Sequence, residues 1–396
     1  MQNNTFIELP QNVKSIINKL ADCGYKAYAV GGCVRDSLLG RTPYDWDITT
    51  NATPDEVKNV FKDGKIFETG IKHGTITLVL DGTNYEITTF RTEGKYSDMR
   101  HPDSVEFANS IYDDLSRRDF TVNAMAYSHI DGLRYTDGAL DDLKNKVIRT
   151  VGKADKRFSE DALRILRALR FSAVLGFKIH PDTEASISKN FGLLKYVSCE
   201  RIKTELFKMI CGKNFKYICT AYENVLSQLL DDADISNLTD SFFKNNTLYK
   251  SEIVFGAFLN LVCNDTDKIC NKLKLSNAEK YIVKLGKTVY NNNPDKSFVL
   301  KLVCDMGYND FLSLLDIWHI IGYDISAYRH IYNEAKNNNV CLDAKSLALK
   351  GEEFAKYFTG KDISLAIKNT LYCVACGNIS NTKEDILNYI EKLIRV

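Results

Sequence analysis

Near residue 150 of this 396-residue chain the spacing of apolar residues changes from two to between three and four, and that switch constrains its fold more than any other feature. Before it, the runs KAYAV, WDITT, GTITLVL and YEITTF are rich in β-formers and are separated by Gly and Asp turns, which predicts a sheet. From Asp155 onward, DALRILRALRFSAVLGF, RIKTELFKMI, NDFLSLLDIWHIIG and KEDILNYIEKLIRV predict amphipathic helices over the C-terminal three-fifths. Only six prolines occur and no Gly/Ser-rich or Pro-rich linker interrupts the helical part, so its helices are expected to run directly into one another. The class is α+β, with length for two to four domains that each bury a core.

The formal net charge is only +1, so any nucleic-acid surface must be local. From Lys144 to Lys213 there are 16 basic against 7 acidic side chains, which leaves the rest of the chain at about −8. A solvated helix face is the bland explanation, but the motifs below fall in the same segment. The eleven cysteines are odd in number and scattered among apolar neighbours, as expected of core residues in a reducing compartment. The one C-x-x-C, Cys373 and Cys376, lacks a second pair or a nearby His and reads as packing. No basic start followed by an apolar stretch opens the chain and no run of 18 apolar residues occurs, so a cytoplasmic location and no membrane contact are expected.

Gly31 and Gly32 follow the strand-like KAYAV and precede CVRDSLLG, where a short helix is expected; a glycine turn there lets backbone N–H groups approach phosphate oxygens. Asp45 and Asp47 flank Trp46 in YDWDITT, which reads as a strand. Period-two alternation then puts both carboxylates on one face and Trp46 on the other. Paired carboxylates are costly without a cation, and Mg²⁺ would relieve them while activating an RNA 3′-hydroxyl and holding a triphosphate. Glu86 in NYEITTF is either a third carboxylate of that centre or a solvent-facing strand residue.

The segment from Ser116 to Ala124 joins Arg117, Arg118, Asp119 and Asn123 at the front of an expected helix. Arg suits phosphate oxygens, and Asp or Asn suits ribose hydroxyls. Further on, Asp161 and Arg164 stand three apart on an expected helix and share a face. Cytosine and adenine both set an exocyclic amine beside a ring-nitrogen acceptor, so an Asp acceptor and an Arg donor suit them and mismatch uracil and guanine. Arg167 and Arg170 extend a basic stripe and are expected either to orient Asp161 or to meet triphosphate and primer phosphates.

In this order and spacing, GGCVRD, YDWDITT, RRDFTVNAMAY and SEDALRILRALRF resemble the head and neck motifs of the class II CCA-adding enzyme and poly(A) polymerase family, over about residues 25 to 210. The resemblance implies a polymerase-β-like nucleotidyltransferase head at 1–150, a helical base-recognition neck at 151–213, a helical body at 214–305 and a tRNA-binding tail at 306–396. It also implies template-independent addition of C, C and A to the 3′ end of tRNA from CTP and ATP, with Mg²⁺ on Asp45 and Asp47. Nucleotide contacts are implied for Gly32 and Arg35, for Arg118 and Asp119, and for Asp161, Arg164, Arg167 and Arg170. Two departures stand out: no His is followed by Asp, so the phosphohydrolase domain of some relatives is not expected, and DGALDDLKN lacks the usual Pro.

Arg91 to Phe107, with Gly94, Ser97, His101 and Pro102, supplies a loop of the kind that CC-only relatives lack, which favours full CCA addition or A addition. Poly(A) polymerases of the family commonly carry longer basic extensions. A catalytically silent tRNA-binding module would be expected to lack Asp45 or Asp47, and a small-molecule nucleotidyltransferase would lack the Asp161 and Arg164 pair.

Overall fold

The computed structural model describes residues 6–94 and 104–394. The chain divides into two compact units between Ala221 and Tyr222.

In the first unit the order is α1 (Gln11–Asp22), β1 (Ala27–Val30), α2 (Gly32–Leu38), β2 (Ile48–Thr50), α3 (Pro54–Val60), β3 (Lys65–Phe67), β4 (Thr75–Leu80) and β5 (Thr83–Thr89). A two-stranded ribbon of β6 (Arg91–Glu93) and β7 (Val105–Phe107) follows, then α4 (Ile111–Ser116), β8 (Met125–Ser128), β9 (Gly132–Tyr135) and α5 (Ala139–Lys144). Seven strands form one sheet in the order β3-β4-β5-β2-β1-β8-β9. Every neighbouring pair is antiparallel except β2 and β5. All four residues of β1 are buried, as befits a central strand with both faces covered, whereas β5 alternates. Tyr28, Val30, Phe90, Leu115, Ala124 and Ala126 form one core, and α1 packs on β1 with Val13, Ile16, Ile17 and Leu20 buried.

Beyond the sheet come β10 (Val147–Ile148), α6 (Ala154–Glu160), α7 (Leu163–Leu175), β11 (Lys178–Ile179), α8 (Pro181–Asn190), α9 (Cys199–Ile210) and α10 (Phe215–Ala221). Among the described residues β11, which pairs in parallel with β10 just before the predicted boundary, is the one strand beyond it. Helix α7 is buried almost all round and stops at Gly176, whose φ of 74° is the left-handed cap that frees the chain to turn. Helices α7, α9 and α10 pack together. A side chain at Gly212, between α9 and α10, would put its Cβ 2.6 Å from the backbone of Ala173 in α7.

The second unit is helical. Ser251–Val262 packs against Asn277–Leu285 and Tyr308–Ile321. Lys296–Met306 serves two cores, with Val299 and Val303 packed among Phe311, Trp318 and Tyr328, and Leu300 and Cys304 among Leu371, Ile386 and Ile390. Members of each pair are four residues apart and share a face, and the one-residue offset between the pairs turns the two stripes about 100° apart around the helix. Among the described residues no helix is long and apolar enough to cross a membrane.

Close approach at Gly212 generates a stability prediction. Gly212→Ala forces backbone against backbone and should cost the first unit about 2 kcal/mol, in the range of overpacking. The urea midpoint of that unit should fall, and an unchanged midpoint would refute the α7 contact.

Candidate active site

The strand β2 begins at Ile48, so Asp45 and Asp47 lie in the approach to the strand and not within it as predicted. The reason is local: β1 turns into α2 at Gly31, and the last bond beside it runs from Val30 N–H to the Asp47 carbonyl at 3.0 Å. The alternation survives, since Asp45 and Asp47 are exposed and Trp46 is half-buried. The parallel register pairs Ile48 with Ile87, and one step back along it Asp47 meets Glu86. Asp47 reaches solvent but is walled by protein; this desolvation, with the charges of Asp45 and Glu86, pushes its carboxyl up to about 6 against the pull of Arg118.

An exposed set of oxygen donors that repel one another fits a hard divalent cation. Asp45 and Asp47 are the residues placed to hold it. Among the described residues no three His, Cys, Asp or Glu side chains converge as a metal-binding group, so Glu86 is felt electrostatically but is not drawn into a triad.

Beside Asp47 the chain enters α2 through Gly31, with φ +82°, whose N–H donates to the Met125 carbonyl at 2.9 Å. A Cβ on Gly31 would stand 3.0 Å from Nη1 of Arg118. Glycine is therefore required by backbone angle and by the guanidinium against it. Gly32 opens the helix. Arg118 is ion-paired to Asp114 at 3.1 Å, while its buried Nε has no hydrogen-bond partner, a donor left for a ligand or water. Asp114, wholly buried, also binds Arg117 at 2.7 Å. Burial would raise its carboxyl, but the charges of Arg118 and Arg117 outweigh it and hold the group below its usual range.

The RRDFTVNA segment is not the front of a helix. Arg117 ends α4, Phe120 makes an isolated bridge to Thr150, and Thr121–Asn123 is a single 3₁₀ turn before β8. The segment has to cross from α4 to the sheet, and that demands extended backbone. Its polar side chains are buried in one network. Arg35 donates to Asn123 Oδ1 at 2.5 Å and to both oxygens of Asp36 at 2.9 Å. Asn123 donates to Asp119 at 3.2 Å, and Asp119 accepts from Phe120 N–H at 2.8 Å and from Arg167 at 2.7 Å. Arg167 and Arg170 both meet Glu205 on α9, Arg170 at 2.6 Å. The guanidiniums of Arg35, Arg167 and Arg170 surround the ring of Phe171, Arg170 at 4.0 Å.

The predicted continuous helix through Asp161 and Arg164 is also broken. Helix α6 ends at Glu160, Asp161 is extended at φ −147° and ψ 103°, and α7 starts at Leu163. The Asp161 carboxylate accepts the Leu163 N–H at 3.1 Å, the local bond by which Asp interrupts a helix and starts the next. Arg164 is directed by Glu160 at 2.6 Å and the Arg157 carbonyl at 3.2 Å. The stripe of Arg164, Arg167 and Arg170 is thus matched by acids and is not a bare cationic surface.

Sequence reasoning missed Asp114, Arg201 and Glu205. A signal existed for two of them: Asp114 lies with Ile111 and Leu115 on the buried stripe of α4, and Glu205 with Ile202, Leu206 and Met209 on that of α9. A charge placed on an apolar stripe needs a buried partner. Of the predicted loop residues, Ser97, His101 and Pro102 lie outside the described residues.

Comparisons with known proteins identify the family. The poly(A) polymerase head domain matches residues 27–149, and the probable RNA and SrmB-binding site of polymerase A matches 176–221. The chain is 36% identical to the CCA-adding enzyme of Staphylococcus epidermidis, over 98% of this chain and 99% of that protein. It is 35% identical to the CCA-adding enzyme of Ligilactobacillus salivarius, over 96% and 95%. The crystal structure of the Bacillus stearothermophilus CCA-adding enzyme in complex with CTP superposes with a TM-score of 0.78 at 29% identity, over 97% of each chain.

The network predicts a pH signature. Burial would raise the Asp119 carboxyl, but Arg167, Asn123 and the Phe120 N–H hold it at about 2. Because the folded value lies below the unfolded one of about 3.9, its stabilisation is present above pH 4 and is lost as pH falls toward 2. Asp119→Asn should therefore unfold about 2 kcal/mol more easily at pH 7. The difference from the parent should shrink in denaturant titrations run between pH 4 and pH 2, and a constant difference would contradict it.

Proposed function

The chain belongs to the CCA-adding enzymes, and from that membership we propose the roles its own residues take in adding C, C and A to the 3′ end of tRNA. The enzyme uses CTP and ATP and needs no nucleic-acid template; in our reading it selects bases with protein groups. The observation that supports the residue assignment is the pair Asp45 and Asp47 at the entry to β2, within electrostatic reach of Glu86 on β5 and beside the Gly31 turn and Arg118.

Asp45 and Asp47 would hold a divalent cation, Mg²⁺ in our reading, which when bound supplies Lewis-acid activation of the primer hydroxyl and neutralises triphosphate charge. Glu86 stands beside Asp47 to take the proton released by the 3′-hydroxyl or to complete the cation's shell. The backbone at Gly31 and Gly32 and the free Nε of Arg118 hold the triphosphate, so that its α-phosphorus faces the primer hydroxyl and pyrophosphate leaves opposite. Asp119 and Asn123 orient the ribose; the Asp119 carboxylate already accepts from Phe120 N–H, Asn123 and Arg167, so a ribose hydroxyl exchanges for one of those bonds, while Asn123, held by Arg35, offers its second amide N–H. Asp161 accepts from the exocyclic amine of cytosine or adenine and Arg164 donates to the ring nitrogen. Arg35, Arg167 and Arg170 brace these groups around Phe171 and add positive potential for the nucleotide.

We assign the head to residues 1–150, the base-reading neck to 151–213, the helical body to 214–305 and the tRNA-binding tail to 306–396. Eleven free cysteines fit a reducing compartment, and we place the enzyme's action in the cytoplasm.

Extension of three tRNA transcripts, ending before CCA, after CC and after CCA, with CTP, ATP or both, tests the activity. Ordered growth to CCA and arrest is expected; growth only from the CC end would make it an A-adding enzyme, and continued adenylation a poly(A) polymerase. Asp47→Ala should lower transfer about a thousandfold or more, several kcal/mol of transition-state stabilisation, while tRNA retention on filters is kept. Retained turnover would sink the cation assignment. Asp161→Ala should admit UTP and GTP, and unchanged rejection would remove the protein-template role.

A further inference from the structure

Asp161 is held from outside its own segment. Its Oδ2 accepts Nη2 of Arg201 at 2.7 Å, and its Oδ1 accepts Nη1 of Arg201 at 3.2 Å together with the Leu163 N–H at 3.1 Å. Only 14% of the Asp161 side chain and 25% of that of Arg201 are exposed, so the pair escapes most of the screening that weakens surface ion pairs. A two-pronged Arg–carboxylate contact fixes the plane of the carboxylate as well as its charge. Each oxygen of an ionised carboxylate offers two acceptor sites. Arg201 and Leu163 fill those of Oδ1, and Arg201 takes one on Oδ2. A single acceptor remains, in a direction set by the fork.

That count matters for base choice. A carboxylate free to turn is a good partner for guanine, whose ring N–H and exocyclic amine present two adjacent donors, and for the ring N–H of uracil. One fixed acceptor beside the Arg164 donor suits only an amine next to a ring nitrogen. We propose that Arg201 is a positioning residue for base selection: it clamps Asp161 so that one directed acceptor is offered to the incoming base. The proposal rests on Asp161 reading the base edge. Arg201 lies on α9 one turn from Glu205, which engages Arg167 and Arg170, so this helix steadies the acceptor and the neighbouring donors from the same side.

The test is kcat/KM for CTP, ATP, UTP and GTP on transcripts ending before CCA and after CC. It compares the parent, Arg201→Met, Arg201→Lys, Asp161→Ala and the Asp161→Ala/Arg201→Met double variant, each checked by thermal melting. Arg201→Met should raise the use of UTP and GTP relative to CTP and ATP on the order of tenfold, the scale of one charge-assisted hydrogen bond. Arg201→Lys keeps the charge without the fork and should fall between. In the double variant, loss of Arg201 should add no further relaxation to that of Asp161→Ala, because it acts through that carboxylate. Equal slowing with all four nucleotides, or additive relaxation in the double variant, would overturn the proposal. If Asp161→Ala relaxes choice and Arg201→Met does not, the clamp fails alone; if Asp161→Ala leaves rejection intact, the base-reading assignment fails first. Should Arg201→Met not fold, unchanged ratios in Arg201→Lys decide against the clamp.

Discussion

The parallel pairing of β2 with β5 sets the chemistry at one end of the sheet. Parallel neighbours run in the same direction, so acidic residues that precede their buried isoleucines arrive side by side. Parallel strands cannot be joined by a tight turn, and the chain between them is spent on α3, β3 and β4. With β1 antiparallel on the other flank of β2, the Gly31 turn is delivered next to Asp47. Three sequence-distant features, the glycine turn, the D-x-D and Glu86, thus meet through strand order. Desolvation by the surrounding protein, with the charges of Asp45 and Glu86 added to it, raises the Asp47 carboxyl and suits the place to a cation.

A second constraint is the buried run of charges from Asp36 through Arg35, Asn123, Asp119 and Arg167 to Glu205 and Arg170. Buried ion pairs contribute little net stability, because desolvation offsets most of the attraction. Their effect is geometric: the charged groups hold one another in place, although the buried Nε of Arg170 and Oε2 of Glu205, 2.6 Å apart, are not aligned as a hydrogen bond. Phe171 gives the three guanidiniums a common surface, and its own edge rests on Phe120 at 5.7 Å. The segment carrying Asp119 and the helix carrying Arg167 are locked together by one ion pair and one aromatic contact.

Much of this was legible in advance. The change of periodicity separated the sheet-bearing part from the helical part, although β9, the last strand of the seven-stranded sheet, already ends at Tyr135, and β1, α2 and β5 formed where the β-runs and the Gly-Gly turn pointed. Alternation at Asp45, Trp46 and Asp47 held even though the strand itself starts later, since extended backbone alternates with or without a ladder partner. The motif segments were harder. RRDFTVN and SEDALR both read as helix by composition, yet one crosses extended to the sheet and the other breaks at Asp161. In each, a side-chain carboxylate bonds the local backbone, Asp119 to Phe120 N–H and Asp161 to Leu163 N–H, and that local bond competes with the helical one.

The sequence by itself determined the α+β class, the residue types of the site and the chemistry they can perform, because periodicity and side-chain functional groups are properties of the chain. Which charges would be spoken for was decided only by tertiary structure. Arg35, Arg167 and Arg170 were expected as nucleotide contacts, and the fold pairs them with Asp36, Asp119 and Glu205. Asp161 read as the partner of Arg164 and is gripped by Arg201, forty residues on. Pairing across such separations depends on how α7 and α9 pack, and no local pattern encodes which of many possible acids a buried arginine will meet.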